Sequence, residues 1–218
     1  MSVLKRYWLA IAFTAAGFVV AGFCYGHLPP RIPVHFNLQG VADGWMPKRE
    51  GAFAIPLISL LLLAALIAAG PKAARESSTG SLHKLYPTIV ATIAGFCLYQ
   101  TILLLAVGAG VDLDPLASAG IGFGFVIMFV GNSFGKVTRN SLVGIRTPWA
   151  LRNEEVWGRT QRVGAWLFVL AGLASVIAGV LGFSVIVGVA VTLAAAATSV
   201  IYSYVIWRRI DRHGHSAH

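Results

Sequence analysis

Residues 163–207 read VGAWLFVLAGLASVIAGVLGFSVIVGVAVTLAAAATSVIYSYVIW, 45 positions without a Lys, Arg, Asp, Glu or His. A helix that crosses the hydrocarbon core of a bilayer needs about 20 mostly apolar residues. This stretch is long enough for two, and Gly182-Phe183 divides it, so it predicts a tight hairpin of helices over 163–182 and 183–207. Small residues recur at four-residue spacing in the first of them, at Ala171, Ser175 and Gly179. Such spacing lets two helices approach closely in a membrane.

Outward from the hairpin, four more apolar runs of spanning length stand at 7–26, 51–70, 85–107 and 115–134. The last of these is the weakest, because it is glycine-rich and its end runs into GNSFGK. Pro56 and Pro87 fall in the first turn or so of their helices, where proline is tolerated. The first run follows Lys5 and Arg6 as a signal peptide would, but its apolar core is too long. Phe23 before Cys24 also fits no cleavage site, so the run is expected to stay as the first helix.

Over the whole chain 57% of residues are hydrophobic and 11% charged, against about 25% charged in soluble domains. The expected fold is therefore all-α: a polytopic protein of the cell membrane with six transmembrane helices. Two regions are expected, a helix pair over 1–70 and a four-helix region over 71–218.

The net charge of +9 comes from residues that lie between the apolar runs, so an anionic lipid face, not nucleic acid, is the expected basic-surface partner. Their distribution sets the topology. With both termini cytoplasmic, 14 of the 17 Lys and Arg residues lie inside, leaving Arg31, Lys48 and Arg49 outside. The positive-inside rule selects that orientation. It puts a small cap, 27–50, outside between the first two helices, and the loop 132–162 inside. Cys24 and Cys97 both fall in apolar runs, which argues for buried thiols and against a disulfide framework.

None of the six runs holds an ionisable residue, and a proton- or ion-coupled transporter usually needs one there. Gln100 is the bulkiest polar side chain at depth and is expected to hydrogen-bond between helices.

The outer segment is HLPPRIPVHFNLQGVADGWMPKRE. Its prolines keep the chain extended and I-P-V-H-F-N alternates as a strand does, with turn signals at Gly40 and Asp43-Gly44. His35, Asn37 and Asp43 are expected to hydrogen-bond one another and the backbone, and Trp45 to meet the membrane interface. Either an ordered cap or a recognition surface built on His35, Asn37, Gly40, Asp43 and Trp45 fits these features. His27 and His35 joined only by Asp43 make an incomplete zinc set, so no metal and no cofactor is expected.

The inner segment GIRTPWALRNEEVW, 144–157, is the densest polar and aromatic knot in the chain. Thr147-Pro148 is an N-cap with proline at the first helical position, and Asn153 is a second N-cap followed by Glu154 and Glu155. From there a helix can run into the fifth span with Val156, Thr160, Val163 and Leu167 on one side. Glu155 and Arg159 form an i,i+4 pair, Trp149 and Trp157 suit an interfacial belt, and Arg146 is the candidate for a buried pair with Glu154 or Glu155. Adjacent glutamates point to different helix faces, and no Ser-His or Cys-His couple or phosphate loop accompanies them. An enzyme is therefore not expected, and a docking or folding element is.

The string G-N-x-x-x-K-x-x-x-N-x-x-x-G-I-R-T-P-W-x-L-x-N-E-E-V-W-x-x-T runs through Gly131, Asn132, Lys136, Asn140, Gly144, Arg146 and Trp149 to Asn153, Trp157 and Thr160. It closely resembles the signature of the SdpI-like family, immunity proteins named for the sporulation-delaying toxin system. I-P-x-H-F-N-x-x-G-x-x-D-x-W, from Ile32 to Trp45, resembles the domain of unknown function that commonly precedes it. The resemblance implies a multi-pass protein that protects a bacterium from a secreted, membrane-active peptide toxin met on the outer side. It also implies a receiver that sequesters a cytosolic transcriptional repressor at its inner face. Ala150 and Gln161 depart from the family pattern, which tends to have threonine and histidine there. The competing reading is a membrane enzyme or transporter acting on lipid or a small amphiphile, centred on Arg146, Glu154 and Glu155.

Overall fold

A computed structural model describes residues 2–75, 81–140 and 143–215. Its elements in chain order are helix α1 (Val3–Cys24), a short 3-10 turn, strands β1 (Arg31–Phe36) and β2 (Ala42–Pro47), and helices α2 (Lys48–Arg75), α3 (Ser81–Gly108), α4 (Pro115–Phe134), α5 (Pro148–Arg152), α6 (Glu154–Val180) and α7 (Val185–His215). All of these helices except α5 are long and apolar enough to span a bilayer, six in number among the described residues. The chain is thus an all-α, multi-pass protein of the cell membrane, with β1 and β2 forming one antiparallel hairpin.

Several helices begin before their apolar runs, because polar residues at the water boundary continue the helical backbone. This corrects the expected place of the prolines: Pro56 lies eight residues into α2, and Pro87 is inside α3. Proline cannot donate to the carbonyl four residues back. At Pro87 that carbonyl belongs to His83, and Arg6 of α1 takes it, with Nη2 3.0 Å from the oxygen and 3.0 Å from His83 Nδ1.

The hairpin turn between α6 and α7 is specified by Gly182, at φ +81. Phe183 N–H donates to the Ala178 carbonyl at 2.8 Å and Gly182 N–H to Gly179 at 3.1 Å, the paired bonds that close a helix on a left-handed glycine. Gly110 ends α3 in the same way, through Val111 to Ala106 and Gly110 to Val107.

Gly124 and Gly131 of α4, weak as helix formers, let it come against α6. A Cβ placed on Gly124 would lie 2.5 Å from the Gly172 carbonyl oxygen, one on Gly172 2.5 Å from the Gly124 oxygen, and one on Gly179 2.6 Å from the Ala117 oxygen. Ser175, in the same seam, donates to the Gly120 carbonyl at 2.9 Å. The expected small-residue stripe all meets α4: Ser175 and Gly179 in the seam, and Ala171 against Ile127 of α4 as well as Ala195 of α7. The expected apolar side of α6 holds at Val156 and Thr160. It then passes through Gly164 instead of Val163, because small residues carry the close approach.

α3, which the sequence groups with the later helices, packs mainly on α1 and α2, while α4, α6 and α7 pack on one another. Thr14 and Ser59 join α1 to α2 by a buried hydroxyl pair at 3.0 Å.

The β1–β2 hairpin caps the end of the bundle opposite the chain termini. Ile32, Val34 and Phe36 point inward against exposed Arg31 and His35, while Pro33 is buried too and breaks the strict strand period. Ile32 is fully buried and fits the gaps left by Gly51 and Gly108. Around it lie Ala21, Leu28, Ala52 and Leu105. Ile32→Ala should loosen the hairpin by about 2–5 kcal/mol, seen as faster hydrogen exchange over 28–47 with the bundle unaltered.

Candidate functional site

Two ordered polar assemblies stand at opposite ends of the bundle. The first is the loop from α4 to α6. Asn140 knits its start: Nδ2 donates to the Thr138 and Val143 carbonyls at 2.8 and 3.1 Å, and Oδ1 accepts from Val143 N–H at 2.8 Å. Gly144 follows at φ +116, where a side chain would be strained and would meet the Gln161 amide. Gln161, buried in α6, then treats Ile145 as a strand neighbour would. Its Oε1 accepts from Ile145 N–H and its Nε2 donates to the Ile145 carbonyl, both at 3.0 Å.

Both expected caps are present. Thr147 accepts from Ala150 N–H at 3.3 Å and starts α5. Asn153 accepts from Glu155 and Val156 N–H at 2.9 and 3.1 Å and starts α6. Thr147 also shares a hydrogen bond with Ser203 of α7 at 2.9 Å, and Trp149 Nε1 donates to the same hydroxyl at 2.8 Å. Trp149 stacks on Trp207, with ring centroids 5.8 Å apart. Thr138 N–H donates to Ser81 Oγ of α3 at 3.2 Å. The loop is thereby tied to α3, α6 and α7 at once.

Two expectations are corrected here. Arg146 is exposed, not the buried partner of the glutamates. Glu155 pairs with Arg159 at 2.6 Å and Glu154 with Arg139 at 3.7 Å, and both pairs face solvent, where such pairs contribute at most about 1 kcal/mol. Trp157 does not join an interfacial belt: it is buried and donates to the Val137 carbonyl at 3.3 Å. It lies on the face of α6 that meets the loop, beside Gln161. Of the sequence-derived set, Asn140, Gly144, Thr147, Trp149 and Trp157 converge, whereas Asn132, Arg146, Pro148, Glu154 and Glu155 stand on the surface. Gln161 and Ser203 were not among the expected site residues. The available signal was slight: Gln161 stands in the polar first turns of α6 beside Arg159, Thr160 and Arg162, and Ser203 is one hydroxyl among Thr198, Ser199, Tyr202 and Tyr204.

The second assembly is the hairpin. His35 Nδ1 and Asp43 Oδ1 are 2.6 Å apart across the strands. Asn37 Oδ1 accepts from Gln39 and Val41 N–H, both at 3.0 Å, and Gly40 closes the turn at φ +78. Trp45 is half exposed on β2, away from the His35–Asp43 pair in chemistry though on the same hairpin. Among the described residues no three of His, Cys, Asp and Glu gather as a metal set.

Comparison with known proteins bears on both assemblies. The SdpI/YfhL protein family model matches residues 136–203, which hold the loop, α6 and most of α7. A domain of unknown function, DUF1648, matches 12–60, which hold the hairpin. The chain is 24% identical over 220 residues to Immunity protein SdpI of Bacillus subtilis (strain 168), covering 95% of this chain and 99% of that one. No solved structure matches.

Proposed function

We propose, from the chain's place among the SdpI-like membrane proteins, that it is an immunity protein: it protects its cell from a secreted, membrane-active peptide. In this reading the hairpin faces outward to meet the peptide and the 132–162 loop faces the cytoplasm, as the distribution of basic residues favours. A cytosolic repressor held at that loop is the finer part of the reading.

The observation that carries it is the span of α3. At one end Gly108 holds Ile32 of the hairpin, and at the other Ser81 holds Thr138 of the loop. One rigid helix therefore touches both assemblies, which a protein that reports an outer event to an inner face requires.

The test is survival of a strain sensitive to the sporulation-delaying peptide. Expression of this chain should raise the peptide concentration that halves growth. Growth no better than with an unrelated six-helix protein overturns the proposal. Arg146→Ala should still insert while losing protection or induction; retention of both removes Arg146 from the receiver surface. The reading as a membrane enzyme or transporter needs Arg146, Glu154 and Glu155 to converge, and their separate surface positions give it no support.

A further inference from the structure

The seam where α3, packed on α1 and α2, meets α4, packed on α6 and α7, is not filled from end to end. Next to the 132–162 loop it holds a partly open cavity of about 300 Å³, walled by Ile89, Thr92 and Ile93 of α3, Val126 and Phe134 of α4, and Gly144 of the loop. A second cavity, of about 220 Å³, shares Thr92 and Val126 with the first and continues past Tyr99 and Gly122. The two make one groove. It follows α4 from Phe134 to Gly122, about 18 Å at a rise of about 1.5 Å per residue, which is slightly more than half of the roughly 30 Å hydrocarbon core. Phe125 at its edge is 59% exposed, so the mouth opens toward the bilayer.

Among the described residues, three hydroxyls are the polar side-chain groups of the lining, and each donates to a backbone carbonyl. Thr92 bonds Thr88 at 2.9 Å, Ser133 bonds Phe129 at 2.8 Å and Tyr99 bonds Ser118 at 2.7 Å. An extended peptide laid here would leave its backbone N–H and C=O groups unmet away from water, which is costly. An acyl chain asks for no partner. Beyond Tyr99 the seam turns polar at Gln100, whose Oε1 has no hydrogen-bond partner in place of the expected interhelical bond, and the apolar stretch ends there. The opposite end is basic. Lys136 and Arg146, both exposed, follow Phe134 and Gly144 by two residues each. The 132–162 loop carries six Lys and Arg against Glu154 and Glu155, and those glutamates pair with Arg139 and Arg159. Cations at the level of the headgroups attract anionic lipid. We propose that the α3–α4 groove is a lipid site: one acyl chain of an anionic phospholipid lies along it, with the headgroup beside Lys136 and Arg146. The site stands apart from the immunity reading and does not depend on it.

The test takes the full chain from nanodiscs of equimolar phosphatidylglycerol and phosphatidylethanolamine into mild detergent and weighs it by native mass spectrometry. The wild type should keep one phospholipid, with phosphatidylglycerol favoured at least about fivefold, the scale of one Lys or Arg at an anionic surface. Lys136→Gln combined with Arg146→Gln, both on the surface, should keep one lipid and favour neither. Val126→Trp fills the groove from α4 and Thr92→Phe fills it from α3, so each should leave without lipid. Leu61→Trp, on an exposed position of α2, should match the wild type. A wild type that keeps no lipid, or keeps the two lipids equally, overturns the proposal. So does a lipid held by either groove-filling variant that folds, or a phosphatidylglycerol preference undiminished in the double charge variant.

Discussion

Gly172→Val should yield a protein that inserts in the membrane but does not hold its bundle. The new Cβ would stand 2.5 Å from the Gly124 carbonyl oxygen and 2.6 Å from Met128 N, and both are backbone atoms. A flexible side chain could swing aside, whereas here α4 and α6 must separate as units. Overpacking a core typically costs 1–3 kcal/mol and occasionally more. With backbone on both sides of the seam the loss should reach at least about 3 kcal/mol. Within a bilayer no hydrophobic force between helices compensates, since association rests on close packing itself. The measurement is thermal unfolding of purified protein in nanodiscs. Gly158→Ala is the matched control: it lies in the same helix with nothing within 4 Å of its Cβ position. It should be neutral or gain up to about 1 kcal/mol, as glycine is replaced by a better helix former. If both variants unfold alike, the seam is not what joins α4 to α6.

Gln161→Leu should free the inner loop while leaving the six spans in place. Its loss strands the Ile145 N–H and carbonyl, both of which bond only through this amide in the arrangement described. Each buried group left unpaired costs roughly 1–3 kcal/mol, so the loop should lose about 2–6 kcal/mol of local stability. Limited proteolysis from the loop side should cut between residues 135 and 147 in this variant and spare the wild type. Receiver function should fail with it. Gln161→Glu separates the two bonds, because a carboxylate still accepts from Ile145 N–H but faces the Ile145 carbonyl with no donor. It should therefore be cut as well, at least as fast as the leucine variant at neutral pH, because the buried carboxylate also lacks a cation to pair with. Protease resistance in both would show that Asn140 and Thr147 hold the loop without the amide.

Local and compositional information is legible in the sequence. Six apolar runs of spanning length exist because the bilayer demands internally satisfied backbone over a fixed thickness, and that demand is written residue by residue. The Thr147 and Asn153 caps, the turn at Gly40 and the break at Gly182 are likewise local, since each is settled within a few residues of itself. The alternation of Ile32, Val34 and Phe36 could be read for the same reason.

What only the tertiary structure decided concerns groups distant in the chain. Glycine in α4 reads as weakness in isolation, and becomes the means of contact once Gly172 and Gly179 lie opposite. Arg146 and the glutamates are near in sequence, which suggested a pair. The loop instead turns Arg146 outward and gives Glu154 to Arg139. Trp157 enters the core and Gln161 clasps Ile145 because α6 begins three residues before that tryptophan and presents this face to the loop. No periodicity carries such facts: a hydrogen bond across 16 or 56 positions, as at Gln161–Ile145 and Thr147–Ser203, exists only after the helices have packed.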